Sequence, residues 1–466
     1  MNMMSFTLSI DESMPIYHQL YNYIKSEIQS GAVSSDSKLP SKRKLSAYLN
    51  ISQNTIQSAY DQLAEEGYII PVERKGYYVA KLDNLVKINT QKDITYVETK
   101  KQEYPIKYDF SFQSIDMQTF PFSVWRKLTK EAINEYDSDL VNLGDTKGYF
   151  ELRKNIASYL HQSRGVNCNP KQIIISAGTE YLFQILIQLF NKDYVYGLEN
   201  PGYERLNYLF GSNRAKFEAI DIDANGMVYE QIKKSNANVI CITPSHQFPS
   251  GCIMPVNRRI QLLNWANEKE DRYIVEDDYD SEFKYSGKPI PSLQGLDINE
   301  KVIYMGALSK SLSPSIRVSY MVLPEKILKK YEEYLSYIIC PVPTIEQKAL
   351  TMFIQQGYFE RHLNKMRNVY KHKREVLVDE FLKMGNLVEI LGADAGLHMV
   401  LKVNNGMSEE ELILSALKKG VKVYGISKYY IKNCGNIESK VILGFASMTE
   451  QELIKAAEIL KEAWAL

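Results

Sequence analysis

The sequence has few cysteines, no excess charge of either sign and no apolar run as long as a membrane span. Its five cysteines are scattered and form no Cys-X-X-Cys pair, which argues against a disulfide framework or a zinc site and indicates reduced thiols. They are Cys168, Cys241, Cys252, Cys340 and Cys434. The first residues, MNMMSFTLSIDESMP, lack the charged and apolar blocks of a signal peptide. We therefore expect a cytoplasmic protein.

The chain is electrically balanced, because lysine plus arginine and aspartate plus glutamate both number 56. Any nucleic-acid surface must therefore be a local patch rather than a property of the whole molecule. Apolar residues make up 45% and charged residues 24%, which is typical of folded globular proteins. A chain of 466 residues is too long for one ordinary domain and predicts two or three.

Residues 1–80 show the element order of a winged helix-turn-helix domain, which is of the α+β class. Residues 14–30 carry apolar groups at helical spacing, and Gly31 follows where a C-cap glycine is expected. Ser41 and Ser52 stand at the N-cap positions of two further predicted helices. The stretch YIIPVERKGYYVA then predicts two short strands around a charged turn.

Residues 81–107 are polar and show no sustained periodicity, so we interpret them as a linker. Fully extended, this linker spans at most about 90 Å, at roughly 3.3–3.6 Å per residue. That length is sufficient for the N-terminal domain to reach a neighbouring subunit.

From residue 108 onward, strands and helices alternate. The apolar, β-branched runs QIIISAG, YVYGLE, NVICITP, RYIVEDD and VIYMGAL predict a parallel sheet covered by helices. We assign this α/β pattern to a large domain of about residues 108–340. A helical stretch over 345–385 follows, and then the short strands LHMVLKV and KVILGFA. These predict a smaller subdomain over about residues 341–466.

Two chemically useful residues stand at the ends of predicted strands, where open α/β sheets bind ligands. Lys310 follows VIYMGAL, and a lysine can form a Schiff base with the aldehyde of pyridoxal 5′-phosphate (PLP). Asp277 ends RYIVEDD and can pair with the ring nitrogen of PLP, while Tyr279 can donate to the phenolic oxygen. A PLP site needs this lysine and this anion, together with a phosphate cradle.

A third strand end supplies the phosphate cradle. Gly178 and Thr179, in SAGTE, end the strand QIIIS and open a helix, where free N–H groups suit a phosphate. Arg317, in SKSLSPSIR, can reach the same phosphate. Taken singly, such motifs are more often a solvated lysine, a helix cap or an ordinary turn. Their order along the chain, each after its own strand, favours the cofactor site.

This combination resembles the fold-type I PLP-dependent aminotransferases, over residues 108–466. The resemblance implies that Lys310 is the Schiff-base lysine. Many members have a serine or threonine three residues before that lysine, where this chain has Ala307, so Ser309 is the expected replacement. The implied cofactor contacts are Lys310, Asp277, Tyr279, Gly178, Thr179, Arg317, Ser309, Gln247 and His246.

The stretch HQFPSG resembles the loop that runs beside the cofactor ring in the same aminotransferases. Gln247 or Phe248 falls where many members have an asparagine. The resemblance therefore implies that this loop, including His246, lies against PLP.

Residues 12–80 resemble the GntR family of winged-helix repressors through LPSKRKLSAYLNIS and NTIQSAYDQLAEEGYI. The resemblance implies DNA contacts by Arg43 and by Thr55 of the recognition helix. Gln53 stands where members commonly have arginine, and glutamine cannot reproduce arginine's bidentate hold on guanine. The residues expected on DNA are Arg43, Lys42, Lys44, Gln53, Thr55, Lys75 and Gly76. A winged helix used for protein contact is the alternative.

A GntR-like domain joined to an aminotransferase-like domain is the architecture of the MocR-type transcription regulators, which the whole chain resembles. Within this group the resemblance is closest to the GABA-responsive GabR type and to the PdxR type, which controls vitamin B6 synthesis. It implies a head-to-tail homodimer that binds operator DNA with two half-sites and takes PLP or a small amine as effector.

The effector depends on two positions. In GabR-like proteins two arginines hold the carboxylate of the effector, and Arg205, beside Tyr203, matches the first. Lys428 stands in place of the second, and lysine lacks the planar fork that suits a carboxylate. We therefore favour a PdxR-like sensor of PLP, with a GABA-responsive regulator as the alternative. An active aminotransferase is a further alternative, and the intact Lys310 argues against a relic that binds no PLP.

Overall fold

The computed structural model describes residues 14–81, 104–133, 138–285, 291–432 and 438–466. Most of the predicted linker, and Cys434, therefore lie outside the described residues. The chain divides into two compact units, Met1–Lys101 and Gln102–Leu466. Among the described residues, no helix is both long and apolar enough to cross a membrane.

The first unit has the predicted winged helix-turn-helix order. Its elements are α1 (Ile16–Ser30), α2 (Lys42–Leu49), α3 (Gln53–Glu65), β1 (Ile69–Val72) and β2 (Gly76–Val79). The predicted caps are confirmed, because Ser41 and Ser52 accept hydrogen bonds from N–H groups in the first turns of α2 and α3. Gly31 ends α1 in the left-handed conformation, with φ 79°. Apolar faces of these elements form the core, including Leu20, Ile24, Leu45, Ile56, Leu63 and Val79.

The second unit alternates helices and strands. In chain order they are β3 (Tyr108–Asp109), α4 (Phe122–Ala132), α5 (Phe150–Arg164), β4 (Ile173–Ser176), α6 (Thr179–Leu189), β5 (Val195–Asn200), α7 (Glu204–Ser212), β6 (Lys216–Asp223), β7 (Gly226–Met227), α8 (Tyr229–Lys234), β8 (Val239–Ile242), α9 (Val256–Asn267), β9 (Tyr273–Asp278), β10 (Val302–Ala307), β11 (Ser319–Val322), α10 (Glu325–Tyr334), α11 (Thr344–Gln355), α12 (Tyr358–Leu382), β12 (Val388–Leu391), β13 (His398–Val403), α13 (Glu409–Lys418), β14 (Val421–Lys422), β15 (Tyr424–Gly425), β16 (Lys440–Gly444) and α14 (Glu450–Ala463).

The large sheet has the order β4-β11-β10-β9-β8-β5-β6-β7. Strands β10, β9, β8, β5 and β6 pair in parallel. The first four were predicted from their continuous apolar runs, whereas β6 was not. The prediction of a wholly parallel sheet is wrong at β11, which pairs antiparallel with β10 and β4. The chain returns from β10 to β11 without a helical crossover of the kind that parallel neighbours need.

The smaller sheet, β12-β13-β16-β15, is antiparallel and contains the two predicted strands LHMVLKV and KVILGFA. The predicted boundary between the large domain and the smaller subdomain, near residue 340, does not coincide with a boundary between packed cores. Strand β3 pairs with β14 near the C-terminus, whereas α11 packs in the core formed with α4 and α5. The predicted helix over 345–385 is two helices, which Gly357 separates with φ 70°.

Candidate functional site

A cavity of about 240 Å³ opens at the carboxyl ends of the central strands of the large sheet. It is where a ligand is expected in an open α/β sheet. Its lining residues are Phe112, Gln113, Gly178, Thr179, Glu180, Tyr203, Arg205, Thr243, Phe248, Asp277, Tyr279, Ala307, Ser309, Lys310, Pro314 and Arg317. The structure therefore brings together most of the residues that the sequence predicts for the cofactor.

Asp277 reaches this cavity because side chains alternate along β9. Its neighbour Asp278 points the other way, where Oδ2 accepts hydrogen bonds from Arg164 Nε at 2.8 Å and from the hydroxyl of Tyr304 at 2.6 Å. Asp277 Oδ1 is buried and has no hydrogen-bond partner among the described residues. Burial, and then the nearby carboxylates, raise the pKa of Asp277 to about 7. A cationic N–H donor from a ligand would satisfy this carboxylate.

Lys310 lies in the connection that follows β10, and its Nζ donates a hydrogen bond to the backbone oxygen of Phe112. Burial lowers the pKa of Lys310 to about 8, although Asp280 opposes the shift. A lysine with a lowered pKa is more often neutral, and the neutral amine is the form that attacks an aldehyde. Lys310 is thus suited to covalent attachment of an aldehyde.

The turn from β4 into α6 forms a cradle with backbone N–H groups at a helix N-terminus. Gly178 is the N-cap of α6 with φ 110°, a conformation that side chains rarely adopt. A Cβ at this position would lie 2.1 Å from Arg317 Nη2. Arg317 Nη2 also donates to the carbonyl of Ala177 at 3.1 Å, so the guanidinium lies against the turn.

These groups fit PLP. The orphan carboxylate of Asp277 suits a pyridinium N–H, the cradle beside Arg317 suits a phosphate, and Lys310 suits the aldehyde. Ala307 lines the cavity without a hydroxyl, whereas Ser309 and Thr179 line it and can supply one.

The predicted loop residues His246 and Gln247 are not brought to the cavity wall; Phe248 lies there instead. The amide of Gln247 is buried and donates to Glu199 Oε2 at 3.2 Å and to the carbonyl of Pro201 at 3.0 Å. The sequence could not show which of Gln247 and Phe248 faces the cavity, because the orientation of the turn depends on these partners, which are distant in sequence. The contact predicted for Gln247 is therefore wrong in this structure.

His246 lies behind Tyr279 rather than in the cavity. Its Nδ1 is 2.9 Å from Asp280 Oδ2 and 3.2 Å from the hydroxyl of Tyr279. Burial alone would lower the pKa of His246, but the Asp280 carboxylate outweighs it and raises that pKa. His246 can thus orient Tyr279, which does line the cavity.

The two cations predicted for an effector carboxylate differ in position. Arg205 lines the cavity, beside Tyr203, and its Nη1 donates to Glu180 Oε1 at 2.9 Å. Lys428 is absent from the described lining; its Nζ lies 4.0 Å from Glu204 Oε1 and over the ring of Tyr429. The structure therefore does not bring Lys428 to the site.

Sequence reasoning missed Glu180, Phe112 and Thr243 as lining residues. Glu180 could have been found, because it directly follows Thr179 in the first turn of α6. Phe112 carries no local signal, since its contact with Lys310 joins positions 198 residues apart.

In the winged-helix unit, Arg43, Lys44, Gln53, Lys75 and Gly76 are exposed. Gly76 has φ 101° at the end of the wing turn, where glycine is favoured. Their placement at the start of α2, the start of α3 and the wing is compatible with DNA phosphates and base edges.

Two of the predicted DNA contacts have partners within the unit. Lys42 Nζ donates to Gln57 Oε1 on α3, so this lysine also supports the packing of α2 on α3. The hydroxyl of Thr55 lies 2.8 Å from Ser52 Oγ and takes part in the cap of α3.

Two family models match the chain. "Aminotransferase class I and II" matches residues 110–460, and "Bacterial regulatory proteins, gntR family" matches residues 16–79. Kynurenine aminotransferase of Pyrococcus horikoshii has a similar fold, with a TM-score of 0.69 and 24% identity, covering 77% of this chain and 90% of that one.

Three curated relatives span nearly the whole chain. The HTH-type transcriptional regulator YdeL of Bacillus subtilis is 42% identical, over 97% of each chain. The probable rhizopine catabolism regulatory protein MocR of Rhizobium meliloti is 30% identical, over 98% of this chain and 95% of its own. The pyridoxine biosynthesis transcriptional regulator PdxR of Corynebacterium glutamicum is 29% identical, over 96% of this chain and 95% of its own.

Proposed function

The chain belongs to the MocR-type transcription regulators, in which a gntR-family module precedes an aminotransferase class I and II domain, and we propose that it senses PLP and controls vitamin B6 synthesis in a PdxR-like manner. The winged helix would bind operator DNA, and the cavity of the second unit would take PLP as both ligand and signal. Differential affinity of PLP for two conformations would then change DNA binding.

We assign the cofactor roles as follows. PLP supplies an aldehyde that a lysine can capture covalently. Lys310 would provide the amine, and Asp277 would accept a hydrogen bond from the ring nitrogen. Gly178, Thr179 and Arg317 would hold the phosphate. Ser309 would add a hydroxyl, and Tyr279, backed by His246, would donate to the phenolic oxygen.

We favour PLP over GABA because of the contacts made by Arg205 and Lys428, the two residues predicted to bind the carboxylate of an effector. Arg205 Nη1 is already paired with Glu180 at 2.9 Å. Lys428 lies outside the described lining, near Glu204. A carboxylate effector would therefore meet one guanidinium that already has a carboxylate partner, and it would lack the second cation. A ligand held mainly through a phosphate needs neither residue.

The direct test is the visible absorption spectrum of the full chain, freed of PLP and titrated with PLP and then with GABA. We expect a band characteristic of lysine-bound PLP that saturates with PLP and does not shift with GABA. A shift with GABA would favour the GABA-responsive alternative. A spectrum that stays that of free PLP would contradict the proposed cofactor site.

The intact Lys310 and Asp277 also favour a second candidate, an active PLP-dependent aminotransferase. Turnover needs a firmly held substrate carboxylate, which the pairing of Arg205 with Glu180 weakens. We therefore expect no keto-acid product from GABA or common amino acids in a coupled assay. Product formed at the rate of an ordinary enzyme would favour the aminotransferase.

Arg43→Ala is expected to weaken DNA binding without changing PLP binding. Arg43 is exposed in the first turn of α2, where a phosphate or base-edge contact is expected. Loss of one such contact should reduce affinity by about tenfold and reduce the salt slope by about one. Fluorescence anisotropy with labelled DNA at several salt concentrations measures both. Unchanged DNA affinity would favour the protein-contact alternative for the winged helix.

We further propose that the protein acts as a homodimer, with head-to-tail packing as in the family it resembles. Two winged helices would read half-sites about 34–36 Å apart, or a multiple of that distance. Analytical ultracentrifugation of the full chain tests the oligomeric state, and a monomer at micromolar concentration would contradict it.

A further inference from the structure

Glu180 places a carboxylate in the cradle where the phosphate of PLP is expected. Its Oε1 accepts a hydrogen bond from Arg205 Nη1 at 2.9 Å, and its Oε2 accepts one from Arg317 Nη2 at 3.2 Å. Oε2 also lies 2.9 Å from the position that a Cβ on Gly178 would take. The side chain therefore lies across the glycine turn and joins the two arginines of the cavity.

The pKa of Glu180 is consistent with this position. Burial opposes its ionisation, but its own backbone N–H at the start of α6 and the two arginines outweigh burial and lower its pKa. The carboxylate thus lies in the first turn of α6 and already accepts a hydrogen bond from Arg317 Nη2. A helix N-terminus and a guanidinium are two kinds of group that bind a phosphate.

We propose that Glu180 is an internal competitor for the phosphate of the ligand and so determines the affinity and specificity of the cavity. This inference rests on the proposed function and concerns the same site. A phosphate that takes the Nη2 donor of Arg317 must displace the Glu180 carboxylate from it. The carboxylate then remains near the phosphate and repels it, while it continues to neutralise Arg205.

The competition would affect two classes of ligand. It lowers the affinity for phosphate, so occupancy follows the concentration of free PLP, which suits a sensor better than an enzyme that retains its cofactor. It also disfavours ligands with a carboxylate, because Arg205 is already paired. Glu180 thus opposes both kinds of anion, which favours a ligand that is also held by Lys310 and Asp277, as PLP would be.

The test compares the full-length wild type with Glu180→Gln, which keeps the shape of the side chain and removes its charge. Glu204→Gln is the matched control: Glu204 also begins a helix and lies next to Arg205 in sequence, but it does not line the cavity. The dissociation constants of PLP and of inorganic phosphate are measured by calorimetry on protein freed of PLP, at low and high salt.

We expect Glu180→Gln to bind both PLP and inorganic phosphate about tenfold more tightly than the wild type, as removal of one nearby negative charge predicts. The gain should shrink at high salt, which a purely structural role of Glu180 would not produce. Glu204→Gln should bind like the wild type. Equal or weaker phosphate binding by Glu180→Gln would overturn the inference.

Separate measurements test the cofactor site and the role of Glu180. The spectrum of the wild type with PLP tests the cofactor site itself, whatever the variants do. Inorganic phosphate tests the competition at the cradle, whether or not lysine-bound PLP forms. A wild type that captures PLP normally, beside a Glu180→Gln variant with no gain for phosphate, would contradict only the role of Glu180.

Discussion

Lys310→Ala is expected to abolish the visible band of lysine-bound PLP completely. The band requires a covalent bond between the cofactor and an amine, and Lys310 is the lysine that lines the cavity in the part of the chain that the structure describes. Its amine lies close to the backbone of Phe112 and has a pKa lowered to about 8 by burial, so part of the population is neutral near physiological pH. PLP should still bind without the covalent bond, because the phosphate cradle and Asp277 are unchanged.

The absorption spectrum at saturating PLP measures this effect, and equilibrium dialysis measures the residual binding. Lys329→Ala is the control, since Lys329 is exposed on α10 and does not line the cavity. We expect the control to keep the full band. A Lys310→Ala protein that retains the band would show that another lysine holds the cofactor.

Gly178→Ala is expected to weaken PLP binding by about tenfold to a hundredfold, which corresponds to loss of a charge-assisted hydrogen bond. The new Cβ would lie 2.1 Å from Arg317 Nη2, so the guanidinium must leave the cradle. The backbone of Gly178 has φ 110°, and alanine in such a conformation is strained by about 1–3 kcal/mol. We therefore expect a lower melting temperature as well as weaker phosphate binding.

Gly211→Ala is the matched control for this substitution. Gly211 lies inside α7, has no atom within 4 Å of its would-be Cβ and does not have positive φ. Alanine there should raise stability slightly, by about 0.5–1 kcal/mol, and leave PLP affinity unchanged. If Gly178→Ala bound PLP as tightly as the Gly211→Ala control, the glycine turn would not be the phosphate cradle.

Local patterns in the sequence predicted the fold well. The caps at Ser41 and Ser52 and the glycine at the end of α1 are formed by neighbouring residues, so their signals are local. Four of the five parallel strands were recognisable because burial on both faces requires continuous apolar runs, whereas β6 is partly exposed and has no such run. The antiparallel β11 was missed because its run is only four residues long and its direction is set by the short connection from β10.

The site was predicted in part for the same physical reason. Asp277, Lys310 and Gly178 each lie at the end of a recognisable strand or just after it, and the ends of such strands meet at one edge of the sheet. The orientation of the His246 and Gln247 side chains depends on partners far away in sequence, such as Asp280 and Glu199, so it could not be predicted.

We propose that PLP bound in the cavity changes the affinity of the winged helix for DNA. The most direct measurement is the dissociation constant of the full chain for DNA selected from a random-sequence pool, determined by fluorescence anisotropy across a PLP titration. We expect the affinity for DNA to change with PLP, and the midpoint of this change to coincide with the midpoint of the absorption band. DNA affinity that is the same without PLP and at saturating PLP would contradict it.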